Sequence, residues 1–208
     1  MGPAVYRAMT RGDRRPFLPP VASQPNIVDG QLLLRSLILQ DGSFSGTLFE
    51  TDYASLLAGL ECGAIGNVVK ACFGVAALLT SDHAFMLGSM AAHTRNAGQI
   101  LFPSGSIDPA DVTDGCVDLG LSIARELAEE TGIGADEVLP DPDRYPAFVG
   151  PRLPIFKIMR MRQSAQALRE RMLAGLTQQT NPEFTDFRCV RSMRDLDPRM
   201  PDFRHVWR

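Results

Sequence analysis

Three glutamates and an arginine at helical spacing form the most chemically suggestive pattern in the chain. Glu126, Glu129 and Glu130 follow Arg125 in a segment whose apolar residues recur with a helical period. On a wheel of about 100° per residue, Leu119, Ile123, Ala124, Leu127 and Ala128 share one side. The three glutamates fall within an arc of roughly 100° beside them. Glu126 and Glu130 meet on adjacent turns, and Glu129 stands next to both. Carboxylates this close repel unless a cation lies between them, and hard oxygen donors of this kind suit Mg²⁺ or Mn²⁺. Arg125, four residues before Glu129, offsets part of the repulsion. A solvated acidic helix face has the same spacing, so geometry alone leaves both readings open.

RELAEETGI (125–133) decides more. It resembles the second half of the Nudix box, R-E-U-x-E-E-x-G-U with U aliphatic, through Arg125, Glu126, Leu127, Glu129, Glu130, Gly132 and Ile133. Five fixed identities in register arise by chance on the order of once in a million windows at average residue usage. The first half of the box departs from the pattern. LFPSGSIDPAD (101–111) is similar to the family's loop, with Gly105 as the opening glycine and Asp111 in place of the glutamate. Thirteen residues rather than seven then separate Asp111 from Arg125, an excess of six, so an insertion of six is read within VTDGCVD (112–118). Either Asp111 keeps the carboxylate role at a shifted place, or Asp118 serves as a new helix cap while the loop goes elsewhere. The Asp spacing of the loop is wrong for an EF-hand.

The resemblance implies a Nudix-like α/β/α sandwich, with a mixed sheet and the catalytic helix at about 118–131. It also implies a Mg²⁺- or Mn²⁺-dependent hydrolase that cleaves a diphosphate linkage in a nucleoside diphosphate-type small molecule. Gly105, through its carbonyl, and Glu126, Glu129 and Glu130 would hold metal, with Asp111 and Glu183 as further candidates. Catalysis would rest on Glu126 and Glu129, with Arg125 orienting the carboxylates. His93, Arg95, Ala97, Gly98 and Gln99 resemble coenzyme A pyrophosphatases of the same superfamily; a polar surface turn is the other reading of His93 and Arg95. Nucleotide sugars and dinucleotides are equally open as substrates. The altered first half also allows a Nudix fold that has lost catalysis and binds a nucleotide or a protein partner.

The elements that must position these residues read as an α/β (α+β) chain. Strands are expected at 31–40, 72–80, 84–90, 99–102, 152–161 and 184–193, with turns at 41–46 and 81–83. Short and amphipathic helices are expected at 51–61, capped by Thr51 or Asp52, and at 164–176. Asp118 and Gly132 bound the glutamate-bearing helix as N-cap and C′ residue. Arg169 and Arg171 then belong to a packing helix, and Glu183 and Asp186 flank the last strand. The proline- and arginine-rich residues 1–25 read as a weakly ordered or surface-hugging arm. Residues 1–70 are expected to form an N-terminal arm with a small subdomain or homodimerisation layer, and 71–208 the hydrolase domain.

Composition narrows the function. The chain has 208 residues, 45% hydrophobic and 22% charged, enough for one good-sized core. A net charge of −3 gives no general attraction to a nucleic acid polymer or an anionic membrane, so a phosphate-bearing substrate needs a local site. Glu61, Lys70 and several glycines interrupt the apolar stretch 55–79, which therefore reads as core rather than a membrane span. Cys62, Cys72, Cys116 and Cys189 lack zinc or disulfide spacing and read as reduced thiols, which fits a cytoplasmic location. His205 and Trp207 carry no readable role.

Overall fold

Alternating apolar runs broken by Gly, Pro and Asp give a strand-rich chain, with two long helices among the described residues. The computed structural model describes residues 5–8, 30–40, 43–52, 54–56, 60, 69–139 and 141–201. Cys62, His205, Trp207 and most of residues 1–25 lie outside the described residues. The strands are β1 (Val5–Ala8), β2 (Gly30–Gln40), β3 (Ser43–Asp52), β4 (Ala71–Leu79), β5 (Phe85–Met90), β6 (Ile100–Leu101) and β7 (Ser104–Ser106). They continue with β8 (Val112–Thr113), β9 (Cys116–Val117), β10 (Arg144–Pro146), β11 (Arg152–Arg160) and β12 (Phe184–Val190). The helices are α1 (Leu119–Thr131) and α2 (Ala165–Leu176). The class is α+β.

One sheet runs β2-β3-β1-β9-β8, and a second runs β10-β11-β4-β5-β12 with β6 on β5 and β7 on β4. β1 is parallel to β9 and antiparallel to β3, so the first sheet is mixed. The chain divides into two compact units that are not consecutive in sequence. One comprises Met1–Gly74, Ser106–Ser122 and Phe148–Ile155; the other comprises Val75–Gly105, Ile123–Ala147 and Phe156–Arg208.

In the first unit, Leu32, Leu34 and Leu48 of the β2–β3 hairpin are buried with Cys72, Ile107, Val117 and Leu153. Burial pushes the Cys72 thiol up to about 12, as expected of an inert, reduced cysteine. The segment expected to be an insertion forms a short hairpin. Asp114 and Gly115, both at positive φ (52° and 74°), turn β8 back onto β9 with Val112 opposite Val117. Such an Asp-Gly turn matches the twist of a two-stranded hairpin. Asp52 accepts the Ser55 amide at 2.7 Å as the cap of the short helical turn that follows, while Thr51 belongs to β3. Residues 43–46, expected as turn, begin β3.

In the second unit, β5 and β12 pair antiparallel, Met86 opposite Cys189 and Gly88 opposite Phe187. That face packs into a core with Leu78, Met90 and Phe184, with Leu168 and Met172 of α2, and with Ile123 and Leu127 of α1. Ser164 caps α2. Its arginines are structural, as expected of a packing helix: Arg169 donates to the Phe187 carbonyl at 2.7 Å, and Arg171 pairs with Glu137. The C-terminal ends of α1 and α2 meet where Gln179 donates to the Glu129 carbonyl at 3.1 Å. Among the described residues, no helix is long and apolar enough to cross a membrane.

Two leucines of α1 make opposite predictions. Leu127 is fully buried whereas Leu121 is 57% exposed. Leu127→Ala should cost about 2–5 kcal/mol through the lost contacts and the cavity left behind. Leu121→Ala should stay within about 0.5 kcal/mol. Urea unfolding of the two variants checks the contrast.

Candidate active site

Helix α1 starts where the Asp118 carboxylate accepts the Gly120 and Leu121 amides at 2.8 and 3.0 Å. It stops at Gly132, whose φ of +73° ends the helix in the left-handed region that glycine tolerates. Ile123 and Leu127 hold its apolar stripe in the core, and that anchorage decides where the glutamates stand. Glu129 is exposed, Glu126 half-buried, and Glu130 buried at 7% exposure.

Glu130 and Glu126 are tied to β7. The Ser104 amide donates to Glu130 Oε2 at 2.9 Å. At Gly105 the backbone lies against the Glu126 carboxyl, and a Cβ there would fall directly on the Glu126 side chain. A side chain at this position would therefore displace the Glu126 carboxyl from its place against the backbone. Arg125 Nη1 reaches Glu126 Oε1 at 2.9 Å and Glu129 Oε2 at 3.2 Å, and so ties the two carboxylates together.

Burial is the main cause that pushes the Glu130 carboxyl up to about 9. The neighbouring charge of Glu183 adds to it, the Ser104 amide opposes it, and Glu126 and Glu129 raise it further. Glu183 precedes β12, where its carbonyl accepts the Ala91 amide at 2.7 Å, and its side chain is exposed. The charges of Glu183, Glu126 and Glu129 thus all bear on Glu130.

Other sequence candidates lie elsewhere. Asp111 belongs to the first unit, 2% exposed, where it accepts Ser122 Oγ at 2.9 Å and the Asp108 amide at 3.1 Å. It closes a short 3₁₀ turn (Pro109–Asp111) before the β8–β9 hairpin. Asp118 is the helix cap. His93 and Arg95 are exposed in a turn where the Ala91 carbonyl accepts the Thr94 amide at 3.1 Å and Gly98 has a φ of +75°. Asp186 pairs with Arg169.

A divalent cation fits the donor chemistry. Glu130 is a buried carboxyl surrounded by other carboxylates, and only a proton or a cation relieves that arrangement. Among the described residues, however, no group of three or more His, Cys, Asp or Glu side chains already converges at metal-holding distance. The hairpin at 112–117 and the coupling of Glu183 to Glu130 escaped sequence reading. Asp-Gly between short β-prone runs was the available signal for the first; only tertiary pairing supplies the second.

The Glu130 environment sets a sign for stability against pH. Its folded value lies above the ordinary 4.5, so between about 4.5 and about 9 the folded chain binds more protons than the unfolded one. In metal-free buffer this contribution favours folding below that window and is lost as pH rises through it. Glu130→Gln, which keeps an acceptor for Ser104, should flatten the slope. A divalent ion at ten times its dissociation constant should stabilise the wild type by about 1.4 kcal/mol, and Glu130→Gln should lose most of that gain. Thermal unfolding at several pH values, with and without Mg²⁺, reads both effects.

No family model matches the chain, and no curated protein matches it either. Solved structures do. The MutT protein from Methanosarcina mazei Go1 is 18% identical over 57% of this chain and 75% of its own, with a TM-score of 0.38. An Ap4A hydrolase from C. elegans is 14% identical over 59% of this chain and 81% of its own, at 0.43. The NUDIX domain of Shewanella oneidensis NrtR, complexed with ADP ribose, is 17% identical over 67% of this chain and 82% of its own, at 0.39. The chain is similar to solved Nudix structures, and at these TM-scores the similarity carries nothing about its chemistry.

Proposed function

We propose that this chain is a Nudix-type hydrolase that cleaves a diphosphate linkage in a small nucleoside diphosphate-type molecule, using Mg²⁺ or Mn²⁺. One observation carries the reading: the backbone at Ser104 and Gly105 is built against the carboxyls of Glu130 and Glu126. These are residues that the box resemblance assigns to metal. A buried carboxyl beside other carboxylates has no packing advantage and costs stability unless it is used.

Glu126, Glu129 and Glu130, with the Gly105 carbonyl, would hold the cation, and Glu183 stands near enough to Glu130 to join them. When bound, the cation would offset charge on the diphosphate oxygens. The chain's own groups do the rest. Arg125 positions the carboxylates of Glu126 and Glu129. A carboxylate of this set accepts the proton of the attacking water, Glu183 being the exposed member and Glu129 the other. The buried flank around Glu130 excludes bulk water, which strengthens every charge interaction there. Asp111, committed to Ser122, is left to structure.

Glu126→Gln and Glu130→Gln, folded by circular dichroism, should each lower metal-dependent release of phosphomonoester products by a factor of about 10² or more. Gly105→Ala should lower it too, because the Glu126 carboxyl must move. The assay is a panel of dinucleotides, nucleotide sugars, coenzyme A and oxidised nucleotides, with released phosphate read after phosphatase treatment. Near-wild-type rates in both glutamine variants would sink the mechanism.

The ion pairs of Arg125 support a second reading, a nucleotide- or protein-binding module without turnover. Arg125 already neutralises Glu126 and Glu129 in part. Calorimetric binding of a nucleotide with no hydrolysis at any metal concentration would favour it.

A further inference from the structure

The second unit holds a cavity that none of the glutamates lines. In the β5–β12 pair, Phe85 lies opposite Val190 and Leu87 opposite Arg188. Strand alternation puts these side chains on the face opposite Met86, Gly88 and Phe187, which pack into the core shared with α1 and α2. On that other face, Phe85, Leu87, Phe102 and Val190 form the floor of a cavity of about 250 Å³. The segment after β12 adds Met193 and Leu196 to its walls and leaves it open to solvent on one side. Phe85 and Phe102 meet edge to face, ring centres 5.8 Å apart, with Phe85 half-buried and Phe102 buried.

Polar groups stand among the walls as well: His83, Arg191 and Ser192. Arg191 is not a free cation there, because it pairs with Asp82 Oδ2 at 2.6 Å. Asp82 is fixed in turn by Thr80 Oγ1 and by the Ala165 amide. Ser192 caps the short 3₁₀ turn (Met193–Asp195). The walls are therefore apolar and aromatic, with their one arginine charge balanced. A dry apolar cavity of roughly 150 Å³ admits benzene, so this one has room for a fused pair of rings.

We infer that this cavity is a second binding site, for an uncharged, planar aromatic molecule of about two fused rings. It is separate from the diphosphate chemistry at Glu126 and Glu130, and the inference does not depend on that chemistry. Its link to the glutamates is short. Phe102 lies two residues before Ser104, at most about 7 Å along the chain, and the Ser104 amide holds Glu130.

The test is titration of the full chain with 2-naphthol, followed by backbone amide NMR. Saturable shifts confined to residues 83–87, 102–104 and 190–196 are expected. Val190→Trp should fill the cavity and weaken binding by about tenfold or more, equivalent to about 1.4 kcal/mol. Glu126→Gln should bind 2-naphthol like the wild type whether or not the chain hydrolyses anything. Non-saturating shifts, or shifts centred on 126–130 and 183, would overturn the site. So would a folded Val190→Trp protein that binds unchanged; should that variant not fold, Leu196→Trp replaces it with the same two outcomes.

Discussion

A carboxyl group in an apolar surround, with other carboxylates nearby, is the constraint on which the rest of the site depends. Glu130 cannot turn to solvent without pulling the last turns of α1 off their apolar stripe, because Leu127 and Ile133 on either side of it are fully buried. The chain therefore brings backbone to it. The Ser104 amide supplies a donor to Glu130, and the next residue, Gly105, leaves room for the Glu126 carboxyl beside the same strand. A net hydrogen bond to a charged group is worth about 1.5–3 kcal/mol, less than the cost of burying an unpaired carboxylate. The deficit is why Glu130 favours its proton in the bare chain and why a cation would suit the place.

The two units share this burden unequally. Asp111 and Ser122 settle each other's polar atoms inside the first unit, so that carboxylate is spoken for before α1 reaches its glutamates. The hairpin that follows Asp111 is closed by an Asp-Gly turn and needs nothing from the site to be stable in register. A hairpin of this kind lengthens the loop at little cost, since closure entropy grows only slowly with loop length. Asp111 itself is held by the Ser122 hydroxyl and the Asp108 amide.

Legibility in the sequence followed the range of the forces involved. Helix α1 could be bounded to the residue because its signals are local: an Asp that caps, a Gly that tolerates positive φ, and a period that never breaks. The strands 71–79 and 85–90 were readable for the same reason. Less was visible at 43–46, where DGSFSG looks like a turn, yet Phe44 and Ser45 pair with Leu39 and Ile38 across a long hairpin. Glu183 could be named as an acid beside a strand, but its charge reaches Glu130 only through tertiary placement, which no spacing in the chain encodes. The interleaving of the compact units is equally non-local, since β4, α1 and β11 each begin in one and end in the other.

Under the proposed function, Arg125 and a divalent ion would compete for the same oxygens. Arg125 holds Glu126 and Glu129, and the donors are not gathered for a metal. The Arg125–Glu129 pair, with Glu129 59% exposed at its side chain, contributes about 0.2–1 kcal/mol. Such an energy cannot keep Glu129 from a divalent ion that binds with even micromolar affinity, about 8 kcal/mol. Rotating Glu126 and Glu129 away from Arg125 requires only side-chain torsions, whereas Glu130 and the backbone at 104–105 are already fixed. The buried half of the site is thus the one built into the backbone, whereas Glu129 is an exposed carboxylate held by a 3.2 Å ion pair.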